Sequence, residues 1–213
     1  MGGFNSRNAS QPMVSPAGAL ELRDFMADSL ADLTKYHAAF GTIVTQLNAD
    51  AGVTDTDYAA PAALTADQQS VDFEARNPVA PLVVIDVLNL LAHSAAYLVD
   101  LGVIRTAFAA LTAKLDLDAT VTDTDYNALD LAALTVVAQD AGDINVRPSP
   151  QAKLSAADIT AIQVYSALVV ADLAALRAGL VALTAQLDAD AGVTDTTYAS
   201  GNDPAAATVA ALT

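Results

Sequence analysis

The run Leu47-Asn-Ala-Asp-Ala-Gly-Val-Thr-Asp-Thr-Asp-Tyr58 decides how this chain is read, because it occurs three times. It returns as Leu115-Asp-Leu-Asp-Ala-Thr-Val-Thr-Asp-Thr-Asp-Tyr126 and again as Leu187-Asp-Ala-Asp-Ala-Gly-Val-Thr-Asp-Thr-Thr-Tyr198. A period of about 70 residues is the signature of internal duplication. The chain therefore divides into an extended N-terminal arm, residues 1–16, and a three-repeat region, residues 17–213. The repeats cover about 17–81, 82–151 and 152–213, and the third reads as cut short soon after its motif.

Upstream of each motif the apolar residues recur in alternating steps of four and three. The first series is Leu22, Met26, Ser29, Leu33, Tyr36, Phe40, Ile43 and Leu47. The second is Leu90, Ser94, Tyr97, Leu101, Ile104, Phe108, Leu111 and Leu115. The third is Ile162, Ser166, Val169, Leu173, Leu176, Leu180, Leu183 and Leu187. Such spacing is the seam of a left-handed helical bundle. The fold class is all-α: three long heptad helices, each with an Asp-rich loop and an irregular connector, in a pseudo-threefold bundle.

Charges flanking the seam favour parallel helices. Asp32, Asp100 and Asp172 stand at g positions, with His37, Arg105 and Arg177 at the e positions five residues on, the pairing found between parallel coiled-coil neighbours. Parallel helices in one chain need return connectors, and residues 59–81 and 127–151 provide them. At about 3.3 Å per extended residue either one spans a helix of about 45 Å with slack. Pro61, Pro78, Pro81, Pro148 and Pro150 oppose continuous helix there. An antiparallel helical hairpin is the competing layout.

Composition excludes several functions. The formal charge is −16, from 25 acidic and 9 basic side chains, so a nucleic-acid binder working by phosphate neutralisation is ruled out. An apolar share of 54% argues against disorder. With no Cys there is no disulfide framework and no thiolate chemistry. Residues 1–15 are polar and read as a docking arm, not a signal peptide. The apolar stretch 83–104 carries Asp86 and Asp100, which a buried soluble helix tolerates better than a membrane span.

The repeated loop superficially resembles a calcium loop, with Asp188, Asp190 and Asp195 as weak cation candidates. Gly192 and Val193 stand where an EF-hand needs an acid and a glycine, and no glutamate closes the loop. Gly192 is better read as a helix C-terminal cap, and Thr54-Asp55 with its copies as turn or N-cap residues. No metal and no cofactor are expected. Tyr58, Tyr126 and Tyr198 close each motif and, with Phe4, Arg7 and Met13 of the arm, are the interface candidates. Packing of the loop on the helix end is the plainer role for the tyrosines. His37 and His93 occupy repeat-equivalent structural positions, and no phosphate loop or nucleophile elbow is present. The chain is expected not to be an enzyme.

The run from Gln186 to Ala199 resembles segments of uncharacterised Ala/Asp-rich structural proteins of tailed bacteriophages. The resemblance covers the helix end and loop of each repeat, and the second copy departs from it at Leu117 and Thr120. It implies a virion component assembled in the host cytoplasm, with the major capsid protein or another virion protein as partner. A capsid decoration or cement protein docking by its arm is the first expectation. A neck or tail-fibre component is its close rival, and a cellular helical coat or adhesin is the alternative from another class. Neither nucleic acid nor membrane is an expected partner, while self-association is left open.

Overall fold

The computed structural model describes residues 6–8, 11–14, 16–65, 84–129, 131, 135, 144 and 154–213. Apart from a short ribbon in the arm, the described structure is helical. Three long helices dominate: α1 (Pro16–Ala49), α2 (Val84–Leu115) and α3 (Ala156–Ala189). A short α4 (Tyr198–Asn202) and a 3-10 turn at Tyr126–Leu129 follow α3 and α2 respectively. Pro16 opens α1, where its missing N–H leaves no helical bond unmade. Ser155 caps α3: its Oγ accepts from Asp158 N, and the Asp158 carboxylate accepts from Ser155 N in return.

The arm is not simply extended. Strands β1 (Ser6–Asn8) and β2 (Gln11–Val14) pair antiparallel, with Ser6 opposite Val14 and Asn8 opposite Gln11. Pairing satisfies backbone groups that a lone extended strand leaves to solvent.

Every residue of the three 4-3 series is no more than 4% exposed, including Ser29, Ser94 and Ser166. The serines are tolerated because each hydroxyl donates to a carbonyl three residues back, Ser29 to Met26, Ser94 to Leu91 and Ser166 to Gln163. Phe40 and Phe108 meet across the seam with ring centroids 6.0 Å apart. At the far end of the helices a buried ion pair joins Arg23 of α1 to Asp86 of α2 at 2.9 Å.

The g-to-e charge pairing does not form, because burial claims the aspartates first. Asp32, Asp100 and Asp172 are almost fully buried, and each turns to hold a segment beyond the helices. Asp100 accepts from Thr65 N and Oγ1, Asp172 from Thr135 N and Oγ1, and Asp32 from Thr208 N and Val209 N. A buried carboxylate needs donors, and adjacent backbone N–H groups supply them without exposure to water. The e residues bind carbonyls of the same segments: His37 donates to Ala62 O, Arg105 to Leu131 O and Arg177 to Pro204 O. Among the described residues no ion pair joins the three aspartates to these three bases.

These anchors fix the path of the chain after each helix. From Tyr58 to Thr65 it runs back along α2, from the level of Asp118 to that of Asp100. Tyr126 and Thr135 meet α3 at the matching levels, Asp190 and Asp172, and residues 198–208 run back along α1. Pro204-Ala-Ala-Ala-Thr208 does for Asp32 what Pro61-Ala-Ala-Leu-Thr65 does for Asp100. The Tyr-to-Thr spacing is longest in the third copy and shortest in the first, and the extra residues are taken up in α4 and the 3-10 turn.

Candidate functional site

The three Asp-rich loops come together at the end where α1, α2 and α3 stop. Asp50, Asp118 and Asp190 each sit in the last turn or just past it, 6–8% exposed. Asp190, with φ −74° and ψ 123°, ends α3 while its own N–H still bonds Gln186 O and Leu187 O. Each carboxylate then holds the loop of a different helix. Asp118 accepts from Asp55 N at 2.8 Å and from Thr54 N. Asp190 accepts from Thr122 N at 3.0 Å and Asp123 N at 2.9 Å. Asp50 accepts from Thr194 N at 3.1 Å and Asp195 N at 2.9 Å. The sequence closes on itself: the loop after α1 binds the α2 end, the loop after α2 binds the α3 end, and the loop after α3 binds the α1 end.

The tyrosines complete the same ring. Tyr58 Oη donates to Asp118, Tyr126 Oη to Asp190 and Tyr198 Oη to Asp50, at 3.1–3.2 Å. All three are at most 4% exposed, which removes them from the interface candidates. Their backbone is held as well: Tyr58 N donates to Asn48, Tyr126 N to Asp116 and Tyr198 N to Asp188. Around the rim, Gln46 donates to Asp195 and Thr197, Gln186 donates to Asp123 and Asp125, and Lys114 pairs with Asp55 and Asp57.

Glycine has a different task here from the one the motif suggests. No described glycine has a positive φ, so Gly52 and Gly192 are not left-handed caps. They permit close approach: a Cβ on Gly192 would stand 1.8 Å from Thr120 O, and one on Gly52 2.3 Å from Gly192 O. Thr120, at the corresponding place in the second loop, instead donates its Oγ1 to Asp118 and meets Thr54 Oγ1 at 2.8 Å.

Electrostatics follow from the hydrogen bonds. Burial pushes the Asp190 carboxyl up, but the Thr122 hydroxyl and the N–H groups of Asp123, Thr122 and Gly192 outweigh it and hold it at about 2. Asp118 and Asp50 are lowered by the same balance. Burial, then the adjacent carboxylates, keep Tyr58, Tyr126 and Tyr198 protonated throughout the accessible range. Folding thus favours the deprotonated aspartates. Their contribution is complete above the unfolded value near 3.8 and is lost as pH falls toward 2. The melting temperature, followed by circular dichroism, is expected to fall steeply between about pH 4 and pH 2. Asp190→Asn should flatten that slope, and an unchanged slope would show that the ring carboxylates are not linked to folding.

The cation candidates do not converge. Asp188 accepts from Tyr198 N and Ala199 N, Asp190 from the second loop, and Asp195 from Thr197 and Gln46. Among the described residues no group of three or more His, Asp or Glu is placed to hold a metal ion. EDTA is expected to shift the melting temperature by less than about 2 °C; a calcium-dependent rise of several degrees would reveal a site through linkage.

His93 is buried against Tyr97, ring centroids 5.5 Å apart, with Ser29 Oγ at 3.4 Å from Nε2. Burial pulls its pKa down to about 4, leaving it neutral in the core. His37 is taken up by Ala62 O. A mostly apolar groove of about 580 Å³ runs between residues 57–62 and the outer face of α2, lined by Val99, Val103, Ala107 and Leu111 with Lys114 at one end. Lys114 is engaged by Asp55 and Asp57, whose carboxylates favour its protonated form. Arg7 lies on β1 and Met13 on β2, while Phe4 falls outside the described residues.

Sequence reasoning missed the acceptors of the ring and of the level above it. Part of the signal was available: Asp50, Asp118 and Asp190 are kept in every copy, as are Asp55, Asp123 and Asp195, whereas the position two before the ring acids holds Asn48, Asp116 or Asp188. No protein-family model, curated protein or solved structure matches this chain.

Proposed function

We propose that this chain is a non-enzymatic structural protein of a bacteriophage particle, a capsid decoration or cement protein that docks through its N-terminal arm. Its body is a pseudo-threefold parallel bundle in which one chain supplies three like units. The observation that carries this reading is the closed ring of loops. Each helix end holds the loop of another unit, and helices about 50 Å long reach one such ring only by running the same way. Many described polar residues of the repeats are spent on joining units, which suits a rigid spacer or cap. The virion assignment rests on the resemblance of residues 186–199 to phage structural proteins. The acidic surface suits particles that must stay mutually repelling.

Mass spectrometry of purified virions tests the assignment directly, and absence of the chain from particles of a phage that encodes it would refute it. Deleting Met1 to Pro16 is expected to leave helicity and melting temperature nearly unchanged while abolishing attachment to the particle. A large loss of melting temperature would make the arm part of the folded body instead.

One observation favours a second reading, a coat on an apolar surface. The outward residues of α2 and α3 carry no charge: Ile85, Leu88 and Val99 on α2 and Val164, Ala167, Ala171 and Ala178 on α3 are exposed. Both helices are long and apolar enough to cross a membrane by length and composition. Against a crossing stand Asp86, Asp100, Asp158 and Asp172 inside them, each costly in hydrocarbon. Flotation with neutral lipid vesicles separates the two: co-flotation of the intact protein supports the coat, and its absence supports the virion reading.

A further inference from the structure

The chain after each motif does not cover its neighbouring helix equally. By the repeat, Lys35 and Gln46 of α1 stand where Val103 and Lys114 stand on α2, and Gly179 of α3 stands where Ala107 does. On α1 that face is closed. Lys35 Nζ donates to Ala206 O, and Asn202 at the end of α4 donates to Gln46 Oε1 at 2.6 Å. On α3 it is closed by Leu131, whose side chain occupies the place a Cβ on Gly179 would take, while Leu129 packs against the core. Among the described residues α2 has no such cover. The first connector goes from Tyr58 to Thr65 in seven residues where the copies take nine and ten. Only Ala59 and Ala60, both exposed, stand between the buried Tyr58 and Pro61. The groove of about 580 Å³ is the space this leaves, with Val99 still 57% exposed beside it.

We propose that the groove on α2 is a docking site for another protein, which supplies on one helical turn the leucine-sized side chain that this chain itself supplies to α3. Small residues at Gly102, Ala107 and Ala110 give that side chain room, and Val99, Val103 and Leu111 give it apolar walls. The volume falls in the range of about 300–1,000 Å³ typical of sites that bury a ligand. Laying an apolar turn into such a groove is a recurring mode of peptide recognition. Charge selects the flank of the turn. At one end of the groove two carboxylates, Asp55 at 3.2 Å and Asp57, face the single ammonium of Lys114. The uncompensated negative charge favours a lysine or arginine next to the aliphatic residue. The site is separate from the N-terminal arm and does not depend on docking through it.

The probe is a capped peptide of residues 126–131, Tyr-Asn-Ala-Leu-Asp-Leu, extended by two lysines. A second peptide carries two glutamates in their place. Each is titrated into 15N-labelled full-length protein. Docking predicts saturable shifts of the Val99, Val103, Ala107 and Lys114 amides with the lysine peptide, and severalfold weaker binding of the glutamate peptide. Ala110→Leu, at an exposed position, fills the groove without altering charge and should abolish the shifts with helicity unchanged. Val103→Gln, which makes a wall polar, should weaken them severalfold and serves if the first variant folds poorly. No saturable shift at millimolar peptide, equal binding of the two peptides, or shifts that survive both substitutions would overturn the proposal.

Discussion

Phe108→Ala is expected to cost about 3–5 kcal/mol of folding stability, the range for emptying an aromatic from a closely packed core. Phe108 is fully buried in α2, tilted against Phe40 of α1. Its ring tip also lies 3.7 Å from where a Cβ on Gly179 of α3 would stand. It therefore touches all three long helices at one level, and no neighbour on one helix can move in without leaving another. In a domain of this size the loss corresponds to a fall in melting temperature of the order of 10 °C. Urea titration with an unchanged slope is the cleaner measurement. A cost below about 1 kcal/mol would mean that the layer is loosely packed.

Asp118→Ala is expected to be nearly as severe, about 3 kcal/mol, although it removes only a small polar side chain. The carboxylate serves Thr54 N, Asp55 N, Thr120 N and Tyr58 Oη. Deleting it leaves those donors without their acceptor, and the buried tyrosine hydroxyl has least access to water in exchange. Asp57, by contrast, meets Lys114 at the exposed rim, so Asp57→Ala should cost far less. The contrast between the two aspartates, measured by chemical denaturation, is the test. Equal effects would mean that the ring is electrostatic decoration and not part of the fold's framework. The loss at Asp118 should also weaken the linkage of stability to acid pH, because that carboxyl is held below its ordinary value in the folded state.

Much of the helical layout was legible in the residues. The 4-3 spacing named every seam residue, since a helix buries one stripe whatever its partners are. The common register of the three series placed the motifs at equivalent helix ends. The charge argument for parallel helices used the wrong contacts. It treated Asp32, Asp100 and Asp172 as solvent-facing partners for His37, Arg105 and Arg177. Heptad position alone does not reveal that a connector lies over them.

The functional reading of the loop was harder to extract. Glycine after a helix and tyrosine at the end of a motif suggest a cap and a contact surface, judged from neighbours in sequence. In the folded chain Gly52 and Gly192 answer to the approach of another loop, and Tyr58, Tyr126 and Tyr198 to carboxylates on another helix. Those partners lie 60 or more positions away along the chain.

What the sequence by itself determined, then, was the local and periodic part: three long helices, their buried faces, and three loops of one kind. Period and composition govern those, because each follows from burying a stripe along one helix. Only the tertiary structure decided which loop Asp50, Asp118 and Asp190 would hold, and that Asp32, Asp100 and Asp172 would anchor connectors and not bases. A buried carboxylate accepts whichever donors the neighbouring unit brings within 3 Å. That choice depends on how the units are set side by side, which no pattern within a single unit encodes.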